Sequence, residues 1–440
     1  MSIISFFYDA YHNFTFGRVS FLSSSISKYS ITPLISQNNL KKIYPILIFL
    51  LFALSANGQN GFQPFIDSLA NAYLQDHPGA LVIGIHDNGK EKVFYYGETT
   101  KGSKQKPDSN SIFKVGGISE TFTCILYADF VIRGVIKMDE KLQDFLPVNV
   151  PSPVYEKIIC RKADETSQLH QVGEHENVTI NYTPYVCFPD PSSKPQSIIL
   201  SDLATHTTGL PEYPDNLKTK KNKSNPFENY TKENLYDFLK EYRFDKPLGY
   251  DYKHSATGIA LLGHALVLKS KIDFDTLISE RILKPLQMTE TRVHLTKLQQ
   301  QRLIQGYDKN GKTAHHWNYD VMAPAGGLHS TAHDMMKFLA ANINLHKDSI
   351  VNLLDYTHNP RLELTDKNGK GTEIALGWKV DQLGVDEKRI VWQDGSTGGF
   401  NSYIGFVETN HTGVVILSSV SNSVITIGEE LLRKLSHEKL

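Results

Sequence analysis

The sequence predicts a mixed α/β fold in which both ends of the chain build one sheet and a mainly helical domain is inserted between them. Three observations predict it. A hairpin signal lies near residue 88, strand-like runs crowd residues 374–420, and helical periodicity dominates the stretch between. With 440 residues, 40% of them hydrophobic and 10% aromatic, the chain has material for a sizeable core. Lys+Arg number 46 against 47 Asp+Glu, a formal charge of −1, so the electrostatic footprint of a nucleic-acid binder is missing. Cys124, Cys160 and Cys187 are too few for a disulfide scaffold and lack the C-x-x-C spacing of a thiolate zinc site or redox pair.

In chain order, the first feature is an apolar run from Ile43 to Leu54, preceded by Lys41-Lys42 and followed by Ser55-Ala56-Asn57-Gly58. It is shorter than the ~20 residues a spanning helix needs. Basic flank, short apolar stretch and small residues read as a secretory signal over about 41–58, cleaved before Gln59, so residues 1–58 are expected to be extension and leader and the product secreted or periplasmic. A membrane association would come only through an uncleaved signal. A helix is expected around Phe62–Leu74. Leu81–His86 and Lys92–Tyr96 then flank Asp87-Asn88-Gly89, where Asn-Gly suits a tight primed turn. Helices follow at Glu120–Val135, Asn234–Glu241, Thr257–Lys269 and Thr331–Asn342, the last opened by a Thr331/Asp334 capping pattern. Strand character returns at Ile374–Val380, Arg389–Trp392, Ser402–Val407 and Gly413–Val420, and an apolar-striped helix closes the chain around Ile425–Leu435. The expected sheet domain is therefore 59–112 plus 374–440, and the helical domain 113–373. Segment 151–198 is polar, loop-like and Pro-rich at its exit, and reads as an insertion on the helical domain. Its Cys160 and Cys187 could pair in an oxidising compartment, whereas Cys124 sits on an apolar helix face.

Two motifs fail. Gly84 to Glu91 nearly spells a P-loop, but Glu91 stands where a magnesium-binding Ser/Thr is required, and a hairpin turn explains it. His329 and His333 are four apart without the glutamate of H-E-x-x-H. No cofactor or metal is indicated.

The informative stretch is Phe113-Lys114-Val115-Gly116-Gly117-Ile118-Ser119-Glu120-Thr121-Phe122-Thr123, with Asp139-Glu140-Lys141-Leu142 and Phe145-Leu146-Pro147 downstream. It resembles the segment of serine β-lactamases and penicillin-binding proteins, most like the class C β-lactamase and D-alanyl peptidase or esterase group, that carries Ser-x-x-Lys. Thr205-His206-Thr207-Thr208-Gly209-Leu210-Pro211 looks like that group's His-Thr-x-Gly-Leu-Pro loop, and Ala323-Pro324-Ala325-Gly326-Gly327-Leu328-His329-Ser330-Thr331 like its Pro-Ala-Gly-Gly-Leu-x-Ser-Thr turn. The resemblance covers roughly residues 62–435 apart from the insertion. It implies the β-lactamase/transpeptidase-like fold, an antiparallel sheet flanked by N- and C-terminal helices.

It also implies a site, and this sequence departs from it. Such enzymes need a serine nucleophile, a lysine one turn later to help deprotonate it, a Tyr-x-Asn element and a Lys/His-x-Gly strand. Gly117 stands at the serine position and Glu120 at the lysine. Tyr252-Lys253-His254 keeps the tyrosine but replaces the asparagine, and Gln393-Asp394-Gly395 puts a neutral amide where a cation or imidazole is expected. Ser119 is two positions past the nucleophile and would point away on a helix. His206 is read as ordering its loop. Because a glutamate replacing a buried lysine would otherwise be unpaired, Glu120 and His254 are expected to form a hydrogen-bonded ion pair with the Tyr252 hydroxyl as third member. Three readings stay open: a pseudoenzyme whose cleft binds a small molecule or peptide, such as a peptidoglycan-like peptide or acyl ligand; a hydrolase using Glu120 as base in a non-covalent mechanism; and an interaction protein acting through 151–198. An open, polar cleft around Gly117 would favour the first two, a filled one the third.

Overall fold

A computed structural model describes residues 62–163, 167–172, 177–182, 185–217, 225–343, 349–365, 371–383, 388–437 and 440. The extension and signal expected over residues 1–58, the signal itself at about 41–58, lie outside them. No helix among the described residues is long and apolar enough to cross a membrane.

Helix α1 (Phe62–Asp76) leads into strands β1 (Ala80–Asp87) and β2 (Lys90–Gly97). The turn between them has φ +49° at Asn88 and +84° at Gly89, the backbone that an Asn-Gly primed turn supplies without strain. Strand β3 (Ile112–Lys114) precedes helix α2 (Ile118–Ile132), which is buried along nearly its whole length. The insertion then contributes β4 (Val154–Tyr155), β5 (Ile158–Lys162), β6 (Ser167–Val172), β7 (Asn177–Tyr182), β8 (Tyr185–Pro189) and β9 (Gln196–Ser197). These pair β4 with β9, β5 with β8 and β6 with β7, so the segment expected as loop is a nested antiparallel ribbon. Cys160 faces Cys187 in its register and the two are bonded, with Cα atoms 4.1 Å apart. The ribbon has no sequence signature because β5 and β8 leave most side chains in solvent, so neither strand carries the apolar alternation that marks a half-buried strand.

Helices α3 (Leu200–Ala204), α4 (Lys232–Glu241), α5 (Ala256–Ser270), α6 (Phe274–Ile278), α7 (Lys297–Gln300) and α8 (Ala323–Gly326) follow, then strand β10 (His329–Thr331) and helices α9 (Ala332–Asn342) and α10 (Ser349–His358). The starts of α4, α5 and α9 are capped by the preceding side chain. Thr231 Oγ1 accepts from the Asn234 N–H, Ser255 Oγ from Gly258 and Thr331 Oγ1 from Asp334. Helices α2, α5 and α8 pack together as the centre of the helical part.

Strands β11 (Leu362–Thr365), β12 (Gly371–Ile374), β13 (Lys379–Leu383), β14 (Lys388–Thr397), β15 (Phe400–Val407) and β16 (Thr412–Ser418) complete an eight-stranded antiparallel sheet in the order β11-β12-β13-β14-β15-β16-β1-β2. The sheet resumes at Leu362, ahead of the boundary expected at 374, and the single strand expected over 374–380 is a hairpin bend closed by the Ala375 N–H on Trp378 O. Its chain-end strands meet at the β1–β16 ladder. Helix α11 (Ile425–His437) packs on β15 and β16, where Gly428 lies against Tyr403, and α9 covers the other face, where Gly413 lies against Leu339. Both faces are thus covered, which is why β1, β15 and β16 are buried residue for residue.

Candidate active-site cleft

The β3–β10 ladder pairs Lys114 with His329, and the Val115 N–H continues it to Leu328 O at 3.1 Å. On the other side, the Ser402 hydroxyl donates to Val115 O at 2.8 Å. This clamp delivers Gly117 as the N-cap of α2 directly against β14. A Cβ added there would stand 2.7 Å from the Asp394 carbonyl oxygen and 3.5 Å from Gly395 Cα. The backbone of β14 therefore occupies the space a side chain at 117 would take, and no residue larger than glycine fits without moving a central strand. Ser119 is wholly buried, and its Oγ accepts the Leu328 N–H at 3.1 Å, which turns it away from the cavity.

Glu120, one turn into α2, is 1% exposed and lies between two imidazoles. His254 Nε2 donates to both carboxylate oxygens, at 3.1 and 3.2 Å, so the expected Glu120–His254 contact is present. Its partners differ from expectation. The other His254 nitrogen, Nδ1, reaches Glu212 Oε2 at 3.2 Å, and His206 Nε2 reaches Glu120 Oε2 at 3.4 Å. Tyr252 is not a member. Its ring meets His206 edge-on at 5.8 Å, and it lines a neighbouring depression of about 640 Å³ with Thr207 and Lys253. His206 comes between because its backbone, at φ +58°, also binds the next loop: its carbonyl accepts the Lys253 N–H at 2.9 Å.

The hydrogen bonds fix the protons. The buried Ser255 N–H donates to His206 Nδ1 at 3.2 Å, so that nitrogen is bare and the ring's proton sits on Nε2, facing Glu120. His254 faces a carboxylate at each nitrogen, the arrangement of an imidazolium. Burial opposes that charge, but Glu120 and then Glu212 outweigh it and push the His254 pKa up to about 10. Burial likewise opposes the Glu120 carboxylate, and the charge and hydrogen bonds of His254 and His206 hold it well below its usual range. Glu120, His206 and His254 offer three donor atoms close enough for one metal ion. The donor set does not fit one: His206 would have to coordinate through Nε2, whose proton the Ser255 N–H keeps in place.

Around these residues lies a cavity of about 360 Å³. Gly117, Glu120, Glu212, His254 and Ala256 form one side, Lys379, Gln393, Asp394 and Ser396 the strand side, and Tyr213, Trp317, Tyr319 and Ala325 the remainder. Gln393, at the third motif's first position, is buried, accepts the Asp394 N–H through its side chain and donates to Gly377 O. Gly395 packs on Val115 O, in a spot where a Cβ would stand 2.0 Å from that oxygen. The structure thus gathers Gly117, Glu120, His254, Gln393 and Gly395 and leaves Tyr252 beside the cluster. Glu212, Lys379 and the aromatic wall carried no motif signal. His206 did stand within a family-like loop, and the need of a buried carboxylate for more than one donor was the signal that could have enlisted it.

A β-lactamase family profile matches residues 66–430. The chain belongs to the β-lactamase family. Among curated proteins it is 23% identical over 391 residues to a β-lactamase of Pseudomonas fluorescens, covering 80% of this chain and 92% of that one. It is also 23% identical over 349 residues to the D-alanyl-D-alanine-carboxypeptidase/endopeptidase AmpH of Escherichia coli K12, covering 77% and 78%. Among solved structures it is similar to a β-lactamase/D-alanine carboxypeptidase from Pseudomonas syringae, with TM-score 0.66, 18% identity and coverage of 86% and 99%. A class C β-lactamase structure aligns with TM-score 0.67, 19% identity and coverage of 86% and 97%. The fold is therefore the β-lactamase/transpeptidase-like fold of this family.

Proposed function

We propose that this β-lactamase-family chain is a secreted pseudoenzyme that binds a small-molecule or peptide ligand, of the peptidoglycan-peptide or acyl class, in the cleft beside Gly117 without forming an acyl-enzyme. One observation carries the reading: the position of the family's serine is a glycine whose missing side-chain volume is occupied by the Asp394 carbonyl. Ser119 offers no substitute, since its hydroxyl is buried on the Leu328 amide. A non-covalent hydrolase is poorly served, because Glu120 receives two imidazole N–H groups and its lowered pKa makes it a weak base toward water. Binding is served by a cleft of about 360 Å³ that is lined by both polar and aromatic side chains and is not filled by them. Export is supported by the basic-apolar-small pattern over 41–58 and by the Cys160–Cys187 bond, which suits an oxidising compartment.

The test is labelling with a fluorescent penicillin and with an activated ester, followed by intact-mass analysis. No adduct is expected, and β-lactam hydrolysis no faster than buffer. An adduct mapped to Ser119 or any cleft residue would overturn the reading.

A further inference from the structure

The charges lining the cleft do not balance. Among the described residues, three carboxylates, Glu120, Glu212 and Asp394, face two cations, His254 and Lys379. Asp394 is matched: its Oδ1 holds Lys379 Nζ at 2.7 Å, and that ammonium also lies 4.5 Å from the centre of the Trp392 ring. Glu120 is matched by His254 Nε2, with the His206 N–H added. Glu212 reaches the far nitrogen of the imidazolium whose charge Glu120 already shares and a neutral partner, the Tyr213 hydroxyl, and its side chain is about half exposed. Among the lining side chains one negative charge is left over, on the wetter side of the cleft; Lys114 lies outside that lining, buried with its Nζ on the Trp317 carbonyl.

The adjoining wall is aromatic. Tyr213, Trp317 and Tyr319 line the cavity and are set around a buried Phe227, with ring centroids 5.3, 5.6 and 4.6 Å from its own. Phe227 meets Tyr213 and Trp317 edge-on and Tyr319 in a stack, so it fixes three rings at once. Aromatic faces attract a cation through their quadrupole, and a surplus carboxylate adds to that attraction. The surplus carboxylate disfavours an anion. Lys379 does not reverse the balance, because its charge is spent on Asp394 and Trp392.

We propose that the cleft selects a ligand carrying an ammonium group, a primary or quaternary amine, held by Glu212 and the Tyr213–Trp317–Tyr319 wall. This rests on the reading of the cleft as a ligand site and names the chemical class of its occupant. The experiment is calorimetric titration of the full-length protein with n-butylammonium and tetramethylammonium, against butyrate and butyramide as anionic and neutral counterparts of similar size. The ammonium probes are expected to bind at least tenfold more tightly than either counterpart. Glu212→Gln and, separately, Trp317→Leu should each weaken them fivefold or more, with an unchanged circular-dichroism spectrum showing that the variant has folded. Butyrate or butyramide binding as well as the ammonium probes overturns the ammonium assignment and leaves the ligand-site reading intact. Ammonium binding that neither substitution weakens overturns the assignment to this cleft. Failure of every probe to bind sinks both.

Discussion

Two histidine–carboxylate clusters in this chain use the same residue types and differ in where the fixed charge sits. In the cleft, the hydrogen-bonding and ion-pair partners of the Glu120 carboxylate among the described residues are imidazoles, His254 on both oxygens and His206 on one. In the other, His358 Nδ1 donates to Glu408 Oε1 at 2.8 Å and His358 Nε2 meets Asn342 Oδ1 at 2.9 Å, while Arg389 Nη1 holds Glu408 Oε2 at 2.8 Å. A guanidinium does not lose its proton at ordinary pH, so Glu408 keeps a cation under all such conditions. Glu120 has one only while His254 is charged. Each cluster could bring three donor atoms to one metal ion, counting Asp355 in the second. In each the place is taken, by the His206 Nε2 proton in the cleft and by Arg389 beside Glu408. The lesson is that proximity of ligating atoms says little until the protons and competing cations are assigned.

The comparison is broken most severely at Glu120. Replacing it with alanine strands two imidazole N–H groups, one of them buried on His206, and removes the main support of the His254 charge. Truncating one partner of a fully buried pair costs about 3–5 kcal/mol, and because the His254 side chain is 37% exposed the expected loss lies at the low end, about 3 kcal/mol. Urea unfolding near pH 6 measures it, and a loss under about 1 kcal/mol would mean the cluster is not structural. Next in size is Gly117→Ser. The added Cβ meets backbone at 2.7 Å, so overpacking should cost about 1–3 kcal/mol, and no penicillin acylation should appear because Glu120 still stands where the lysine is needed. The same clash makes Gly117→Ser with Glu120→Lys insufficient unless β14 shifts; rapid acylation of that double variant would show that the strand yields.

The pH response sharpens the contrast. His254 has a raised pKa, so its contribution to stability is complete below its ordinary 6.5 and fades as pH rises through about 10. Glu120 has a depressed pKa, so its contribution is complete above its ordinary 4.5 and fades as pH falls through the lowered value. The stability difference between the unmodified protein and Glu120→Ala is therefore expected to be largest between these two ordinary values and to shrink on either side. Unfolding midpoints measured across pH 3–10 test it, and a difference that keeps growing above pH 8 would contradict the assigned imidazolium.

Much of this architecture is legible in the amino-acid sequence. The Asn88-Gly89 turn, the capped helices at Thr231, Ser255 and Thr331, and the late strands each carry their cause within a few residues. The ribbon over 154–197 does not, since its exposed strands leave no periodic trace and their pairing is held by a backbone ladder and one disulfide. In the site, Gly117, Glu120 and His254 could be placed because they occupy positions in motifs. His206 and Glu212 could not be assigned to the cluster, because a buried carboxylate recruits donors from loops far away in sequence. Lys379 and the Trp317 wall come from segments with no motif, and only the folded sheet and Phe227 bring them to the cavity.

The smallest effect belongs to Glu408. Its side chain and that of Arg389 are 32% and 33% exposed, so water and salt screen their attraction. Glu408→Gln keeps the shape and leaves the amide oxygen able to accept from either His358 or Arg389. The expected loss is about 1 kcal/mol or less, and smaller still in high salt. Glu120→Ala should respond less, because the Glu120 carboxylate is 1% exposed and bonded to two imidazoles, although the His254 ring at 37% is as open to water as Arg389: its loss should shrink by a smaller fraction between low and high salt. Unfolding both variants at low and high ionic strength compares the clusters directly. Equal salt sensitivity in the two would mean that the Glu120 pair is wetter than its burial implies, and the distinction between a conditional buried charge and a permanently neutralised surface one would fall.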